Sequence, residues 1–336
     1  MEDVMILKKF IVFFIILLLS LPILVSFTSG STVGAYSSFL SPEGIQFVSY
    51  SHEWDEHKLI DLYKKLKQNK YGEEINMLQE IRVVAGNHSS GDTKGSYHPI
   101  SKTIVLYQGD KYREPDDYRE TLSHEYGHHF AYYYFPSHHL PFSKWRKLRG
   151  INIAQLRWDA FWNYEEKNHS FYPQEIIADD YVLLYGATNY VNPKDVYSNE
   201  AFYLRTQHEN QQLPNVLENK ELLAYLEEKS GVAIDKERLI QTPFFTNIED
   251  DKISFSVSEK TNIAYRLNIE LFSPSSELQT VELYKITDND DNEIEFSLDD
   301  VGLGRFSDFE SAIISIDVVD LTTSIGFETK ETTLNF

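Results

Sequence analysis

Histidine and tryptophan stop two-thirds of the way along this chain, and that constrains the fold more than any other feature. Of 336 residues, all 11 His lie between His52 and His208 and all 4 Trp between Trp54 and Trp162. Beyond Pro243 the sequence changes character. Ile253-Ser-Phe255-Ser-Val257 alternates apolar and polar residues, as does Ile263 to Leu271. Val281–Ile286, Ile294–Leu298, Ala312–Val319 and Ile325–Thr329 are further β-rich runs, separated by Ser-Pro and Asp/Asn turns. Six or seven short strands in this span predict an immunoglobulin-sized β-sandwich over 243–336. This span holds 6 Lys+Arg against 20 Asp+Glu, so it carries -14 of the chain's formal charge of -21. Such acidity argues against nucleic acid or an anionic lipid surface as a partner, because both would repel it.

The preceding segment, 36–242, reads as mixed α+β. Short strands are expected at Glu80–Val84 and Lys102–Tyr107. Helices are expected at His57–Asn69, Asp116–Tyr134, Ser143–Leu148, Tyr172–Leu184 and Asn219–Lys229. For the second helix, Pro115 suits the first turn, acidic residues follow, and Pro136 lies beyond the end. Lys8 and Lys9 precede an apolar run from Phe10 to Phe27, and small residues follow up to Ala35. That is the pattern of an export signal cleaved after Ala35 or, left uncleaved, of an N-terminal anchor. Residues 1–35 therefore place the remainder outside the cytoplasm, as in a bacterial secreted or cell-surface protein, with the membrane a partner only through an uncleaved segment.

The chemistry is concentrated on the Asp116–Tyr134 helix, which carries His124-Glu125-Tyr-Gly-His128-His129. In this H-E-x-x-H arrangement the two histidines, one turn apart, share a face and can reach one ion, while Glu125 sits beside the water to be activated. Cysteine is absent from the chain, so thiolate zinc sites and thiol nucleophiles are excluded, and a metal must be held by His and carboxylates. A catalytic zinc needs a third protein ligand and an open position. The extended pattern with a further His three residues past a Gly fails, because Ala131 and Tyr134 occupy those places. The better source is the later helix, where Glu175 and Asp179 stand at i and i+4. One carboxylate can bind the ion while the other holds the free ring N–H of a ligand His. His138, His139, Glu165, Glu166 and His169 are the other possible third ligands.

HEYGHH on one helix followed by Glu175-Ile-Ile-Ala-Asp179-Asp-Tyr on another resembles the gluzincins, the thermolysin-like zinc metallopeptidases, over residues 75–190. The resemblance implies a zincin-like domain over 36–242. It implies one Zn2+ on His124, His128 and Glu175, with Glu125 as general base and Asp179 behind a ligand His. It also implies that Gly95 to Tyr107 forms the edge strand along which an extended peptide or protein substrate lies. The 47 residues from His128 to Glu175 exceed the spacing in thermolysin itself and imply an insertion. Tyr181, Tyr172, His169 and His208 are the candidate donors to the oxyanion. A surface binding or adhesion protein on a metallopeptidase-like scaffold is the alternative function, and a non-peptide amide the alternative substrate. Asp288 to Glu293 reads as a hairpin turn between two strands. Tyr132 to Phe135 reads as the end of a core helix.

Overall fold

A computed structural model describes residues 34–87, 93–152, 156–160, 164–273, 278–288 and 292–336. The expected N-terminal export or anchor segment lies almost wholly outside these residues. Among the described residues no helix is long and apolar enough to cross a membrane.

The chain is of mixed α+β build. Its first half forms a five-stranded mixed sheet from β1 (Ser37–Leu40), β2 (Gln46–Tyr50), β3 (Glu80–Val84), β4 (Gly95–His98) and β5 (Thr103–Leu106), in the order β1-β2-β3-β5-β4. The three central strands run parallel, and both edges are antiparallel hairpin partners. The run from Gly95 to Tyr107 is thus a hairpin whose first strand, β4, is the sheet edge. Strand β5 is buried at every position, as the unbroken run Thr-Ile-Val-Leu requires of an interior strand. β1 and β2 were not among the expected strands, whereas β4 is the first strand of the Gly95 to Tyr107 edge that was. All three are short, and of the two edge strands β1 has no buried position and β4 only Gly95.

One face of this sheet is covered by helices. α1 (Glu56–Leu66) starts at Asp55, whose carboxylate caps the Lys58 N–H, and buries Leu59, Leu62 and Leu66. α2 (Arg119–Tyr134) is preceded by a 3-10 turn, Pro115–Tyr118, so the acidic lead-in is capped as expected but wound more tightly. α3 is Lys144–Arg149 and α4 is Pro173–Tyr185, with Pro173 at its first position, where a missing N–H costs nothing. α5 (Glu200–Tyr203) is one turn long. α6 (Lys220–Ser230) runs between an Asn219 cap and Gly231 at φ 68°, a left-handed ending that suits glycine.

α2 and α4 are the packed pair at the centre. Residues Leu122, Ser123 and Glu125 to Ala131 of α2 are all buried, and His124 is partly so. Gly127, between the two motif histidines, permits the contact. A Cβ there would meet the Ala178 carbonyl oxygen at 2.9 Å and Tyr181 Cβ at 3.1 Å.

The remaining strands are β6 (Phe244–Glu249), β7 (Lys252–Ser256), β8 (Ile263–Phe272), β9 (Leu278–Ile286), β10 (Glu293–Ser297), β11 (Ser311–Asp320), β12 (Gly326–Glu328) and β13 (Thr332–Asn335). They make an antiparallel sheet β10-β7-β6 and another, β12-β11-β8-β9, with β13 also on β11. Phe255 and Phe296 of the first and Ile269, Leu271, Ile314 and Ile316 of the second belong to one apolar cluster. Among the described residues eight strands stand where six or seven were expected. The additions, β6 and β13, are mostly exposed edges without an alternating apolar face. One expectation is corrected. β9 and β10 lie in different sheets, so the acidic Asp288 to Glu293 stretch crosses between sheets and is not a hairpin turn. Residues 289–291 of it lie outside the described set.

The two halves meet through the segment after α5. Thr206 bridges to Ile325, its N–H donates to the Ser324 carbonyl at 2.7 Å, and its carbonyl accepts from Gly326 at 3.0 Å.

Candidate metal centre

α2 and α4 bring their polar residues to a single point. Oε2 of Glu175 has the Nε2 atoms of three imidazoles around it: His128 at 3.1 Å, His124 at 3.2 Å and His169 at 3.2 Å. His124 and His128 are one turn apart on α2, with ring centroids 4.9 Å apart. His169 comes from the 3-10 segment Glu166–Phe171 that leads into α4. His124, His169 and Glu175 offer ligand atoms all within 4.8 Å of one another, a group able to hold a metal ion. His128 reaches the same oxygen from outside that group.

The outer nitrogens are also anchored. Nδ1 of His124 is 3.0 Å from Asp179 Oδ1, and Nδ1 of His169 is 2.5 Å from Glu209 Oε2. An imidazole whose Nδ1–H is given to a carboxylate presents the lone pair of Nε2. Two such lone pairs, facing a carboxylate oxygen at 3.2 Å, repel it unless a proton or a cation lies between. Charge points the same way. Glu125, Glu175, Asp179 and Glu209 surround the point, and among the described residues no Lys or Arg forms an ion pair with any of them. The residues therefore fit a divalent cation: imidazole nitrogens and a carboxylate as donors, and an excess of negative charge to neutralise.

Protonation equilibria follow from the same geometry. Burial opposes charge on Glu175, but His128, His124 and His169 outweigh it and hold its carboxyl well below the usual range. Burial likewise opposes charge on His124, yet Asp179 and Glu175 raise it well above an ordinary imidazole. His169 is raised to about 10 by Glu175 and Glu209 against its burial. Asp179 is lowered, with His208 and His124 overcoming its burial. Glu125 moves the other way. It is 6% exposed, and burial pushes its carboxyl above the usual range.

Glu125 lies under the edge strand. A Cβ on Gly95 of β4 would fall 2.8 Å from Glu125 Oε1 and 2.5 Å from Thr121 Cγ2. Glycine at that position lets the strand pass directly over the carboxylate. The strand is also tied to α2 beside the motif. His129 gives its Nε2–H to the Glu74 carbonyl at 2.8 Å, so its Nδ1 accepts from the Tyr97 hydroxyl at 2.9 Å.

Of the expected oxyanion donors, three are buried. Tyr181 is buried and donates to the Lys70 carbonyl at 2.6 Å. The Tyr172 hydroxyl accepts the Glu165 N–H at 2.9 Å. His208 stands behind Asp179, its Nδ1 3.5 Å from Oδ2 and accepting the Asn210 N–H at 3.0 Å. His169 is at the centre itself. Among the other proposed third ligands, His138 is buried against the Phe135 carbonyl at 2.7 Å, and Glu165 pairs with Arg157 at 2.9 Å. Asp180, next to Asp179, turns a further 100° round α4 and pairs with Arg149 at 2.9 Å.

Tyr164 was not anticipated. Its ring stacks on Tyr172 at 5.0 Å and meets His169 edge-on at 6.3 Å. Its phenol is pushed up by burial first and then by the charges of Glu175, Glu166 and Glu125. It lies in the stretch between the two motif helices, where no spacing rule reaches. Glu209 was missed for the same reason. A cavity of about 460 Å3 opens away from this centre, walled by Leu183, Phe245, Phe255 and Ile316, and meets it only through His208.

No family model matches the chain, and no curated protein does. Among solved structures, aminopeptidase A of Legionella pneumophila in complex with aspartic acid aligns at 11% identity over 89% of this chain and 38% of its own, with a TM-score of 0.22. OgpA of Akkermansia muciniphila aligns at 9% identity over 76% of this chain and 64% of its own, with a TM-score of 0.17. The chain spans less than two-thirds of either, and at these scores neither likeness bears on fold or function.

Proposed function

We propose that this chain is an exported, zinc-dependent metallopeptidase of the gluzincin type, with a zincin-like domain followed by an acidic immunoglobulin-like β-sandwich. The observation that carries this reading is the convergence of His124 and His128 from α2 with Glu175 from α4, with Asp179 holding the His124 ring and Glu125 beneath an open sheet edge. His124, His128 and Glu175 would hold the ion, and zinc suits two imidazoles and a carboxylate. When bound, zinc supplies the Lewis acidity that activates water and polarises an amide carbonyl.

The protein residues do the rest. β4 is the last strand of the sheet among the described residues, and an extended peptide would lie beside it, across Glu125, as an added strand. Glu125, kept basic by burial, takes the proton of the attacking water and returns it to the leaving amine. Tyr164, half exposed beside His169, replaces Tyr181 and Tyr172 as the phenol placed to donate to the developing oxyanion. Glu125→Gln in the full chain tests the reading. It should keep about one zinc and lose hydrolysis of peptides by about 10²–10⁴-fold. A variant as active as the parent, or a parent that binds no metal, ends it. A zinc-loaded parent inert toward proteins and peptides would favour the binding-protein alternative.

A further inference from the structure

We propose that His169 is a fourth protein ligand, so that the resting site holds its metal with three imidazoles and one carboxylate and is closed to water until His169 withdraws. This rests on the metallopeptidase reading and adds a means of control to it.

His169 is dressed like a ligand. Its Nε2 is as far from Glu175 Oε2 as that of His124, 3.2 Å, and its Nδ1 is anchored on a carboxylate as His124's is. Four-coordinate zinc with bonds of about 2.0–2.2 Å sets neighbouring donor atoms about 3.3–3.5 Å apart, close to the spacing of all three nitrogens from this oxygen; His124, His169 and Glu175 already form one group within 4.8 Å, which His128, outside it, joins by a shift of its ring. The other histidines near the centre are bound differently. His129 has one nitrogen on a backbone carbonyl and the other on Tyr97, and His208 points its Nδ1 at a backbone N–H. Three imidazoles and a carboxylate fill a tetrahedral set. Sites of that kind are closed, whereas hydrolytic ones keep a position free.

The four donors are not equally fixed. His124, His128 and Glu175 sit on two buried helices locked together at Gly127. His169 sits on a short 3-10 turn with no buried residue, and its anchor Glu209 is half exposed. The detachable ligand is therefore His169. A substrate, or a partner that competes for Glu209, would open the site by drawing it away.

The test uses the full chain with Co2+ in place of zinc, read by visible absorption with and without azide, and X-ray absorption of the zinc form to count imidazoles. The parent should show three imidazoles and cobalt bands that azide does not move. His169→Ala should show two imidazoles and azide-responsive bands, and it should hydrolyse peptides about tenfold faster than the parent. Glu209→Gln keeps the ring and should respond to azide partially. Two imidazoles and an azide-responsive spectrum in the parent overturn the inference while leaving the metallopeptidase reading intact. A Glu209→Gln spectrum as blind to azide as the parent's overturns the detachable arm. Three imidazoles with no hydrolysis by parent or His169→Ala uphold the ligand set and refute the peptidase reading.

Discussion

Two buried charged clusters in this molecule invite comparison. In the C-terminal sheet, Asp317 is 1% exposed and fully answered. Its Oδ2 takes Arg266 Nη2 at 2.6 Å, Arg266 Nε at 2.9 Å and Asn268 Nδ2 at 2.9 Å, while its Oδ1 takes Arg205 Nη1 at 2.7 Å. Each charge has a permanent opposite, and no lone pair is left pointing at another. Between α2 and α4 the opposite holds. Four carboxylates and three imidazoles converge with no permanent cation, and three nitrogens share one oxygen. The first cluster is complete with the protein's own atoms. The second is complete only with a cation or with protons, which is the condition of a site.

The comparison can be broken by measurement. The largest effect expected is on activity: Glu125→Gln should cost about 10²–10⁴ in kcat/KM and should not lower the urea midpoint of the metal-free protein, since burial disfavours the Glu125 charge and Gln removes it. Next comes Asp317→Ala, which strands Arg266 and Arg205 in the interior. It should lower unfolding free energy by about 3–5 kcal/mol in urea titrations, with the metal content of the folded fraction unaltered. Equal metal loss in that variant would show the clusters to be coupled, and Thr206 offers a path between them. Asp179→Asn should weaken metal binding about 10–100-fold, measured by competition with a chromophoric chelator, because it loosens the His124 ring without removing a ligand.

Acid should act through histidines that lie off both clusters. Burial lowers His129 to about 4 and His138 to about 3. Unfolded, each takes up a proton near pH 6.5, so the unfolded state binds more protons than the folded one between those values. Stability should therefore be full above about pH 6.5 and fall as pH drops toward 4 and then 3, on the order of 1 kcal/mol per unit for each histidine. His138→Phe should flatten the slope in urea midpoints taken from pH 7 to 4. An unchanged slope would remove His138 from the account. The smallest effect belongs to Tyr97→Phe, which deletes the bond to His129 at a cost of about 1 kcal/mol. If β4 presents substrate, its KM should rise more than its kcat falls.

Much of this was legible in the residues, for reasons that differ by element. α1 and α6 could be bounded by Asp55, Asn219 and Gly231, because caps and left-handed endings are local chemistry. β7 and β8 announced themselves by period-two alternation, and β11 by a β-rich run without it. β1 did not, since a short edge strand buries too little on either face to leave a pattern, and β4 was expected only through the resemblance. At the centre, His124 and His128 could be paired because one helical turn is a local distance. Glu175 and Asp179 could be matched to each other for the same reason, and their meeting with α2 rested on the need for a third ligand and on resemblance, not on any local distance. Tyr181 failed as a donor because its hydroxyl lies on the side of α4 that faces Lys70, and no spacing tells which side of a fully buried helix faces the site.

By itself, then, the sequence determined the two compositional halves, the principal helices, the i, i+4 pairs on α2 and α4, and the exclusion of thiol ligands. Those follow from covalent neighbours and the 3.6-residue turn. Only the tertiary structure decided that His169 and Glu209 join the centre, that Gly95 carries β4 across Glu125, and that Asp179 faces inward while Asp180 faces Arg149. These depend on the packing of elements far apart in the chain, where Gly127 lets α2 and α4 close until three imidazole nitrogens reach one carboxylate oxygen.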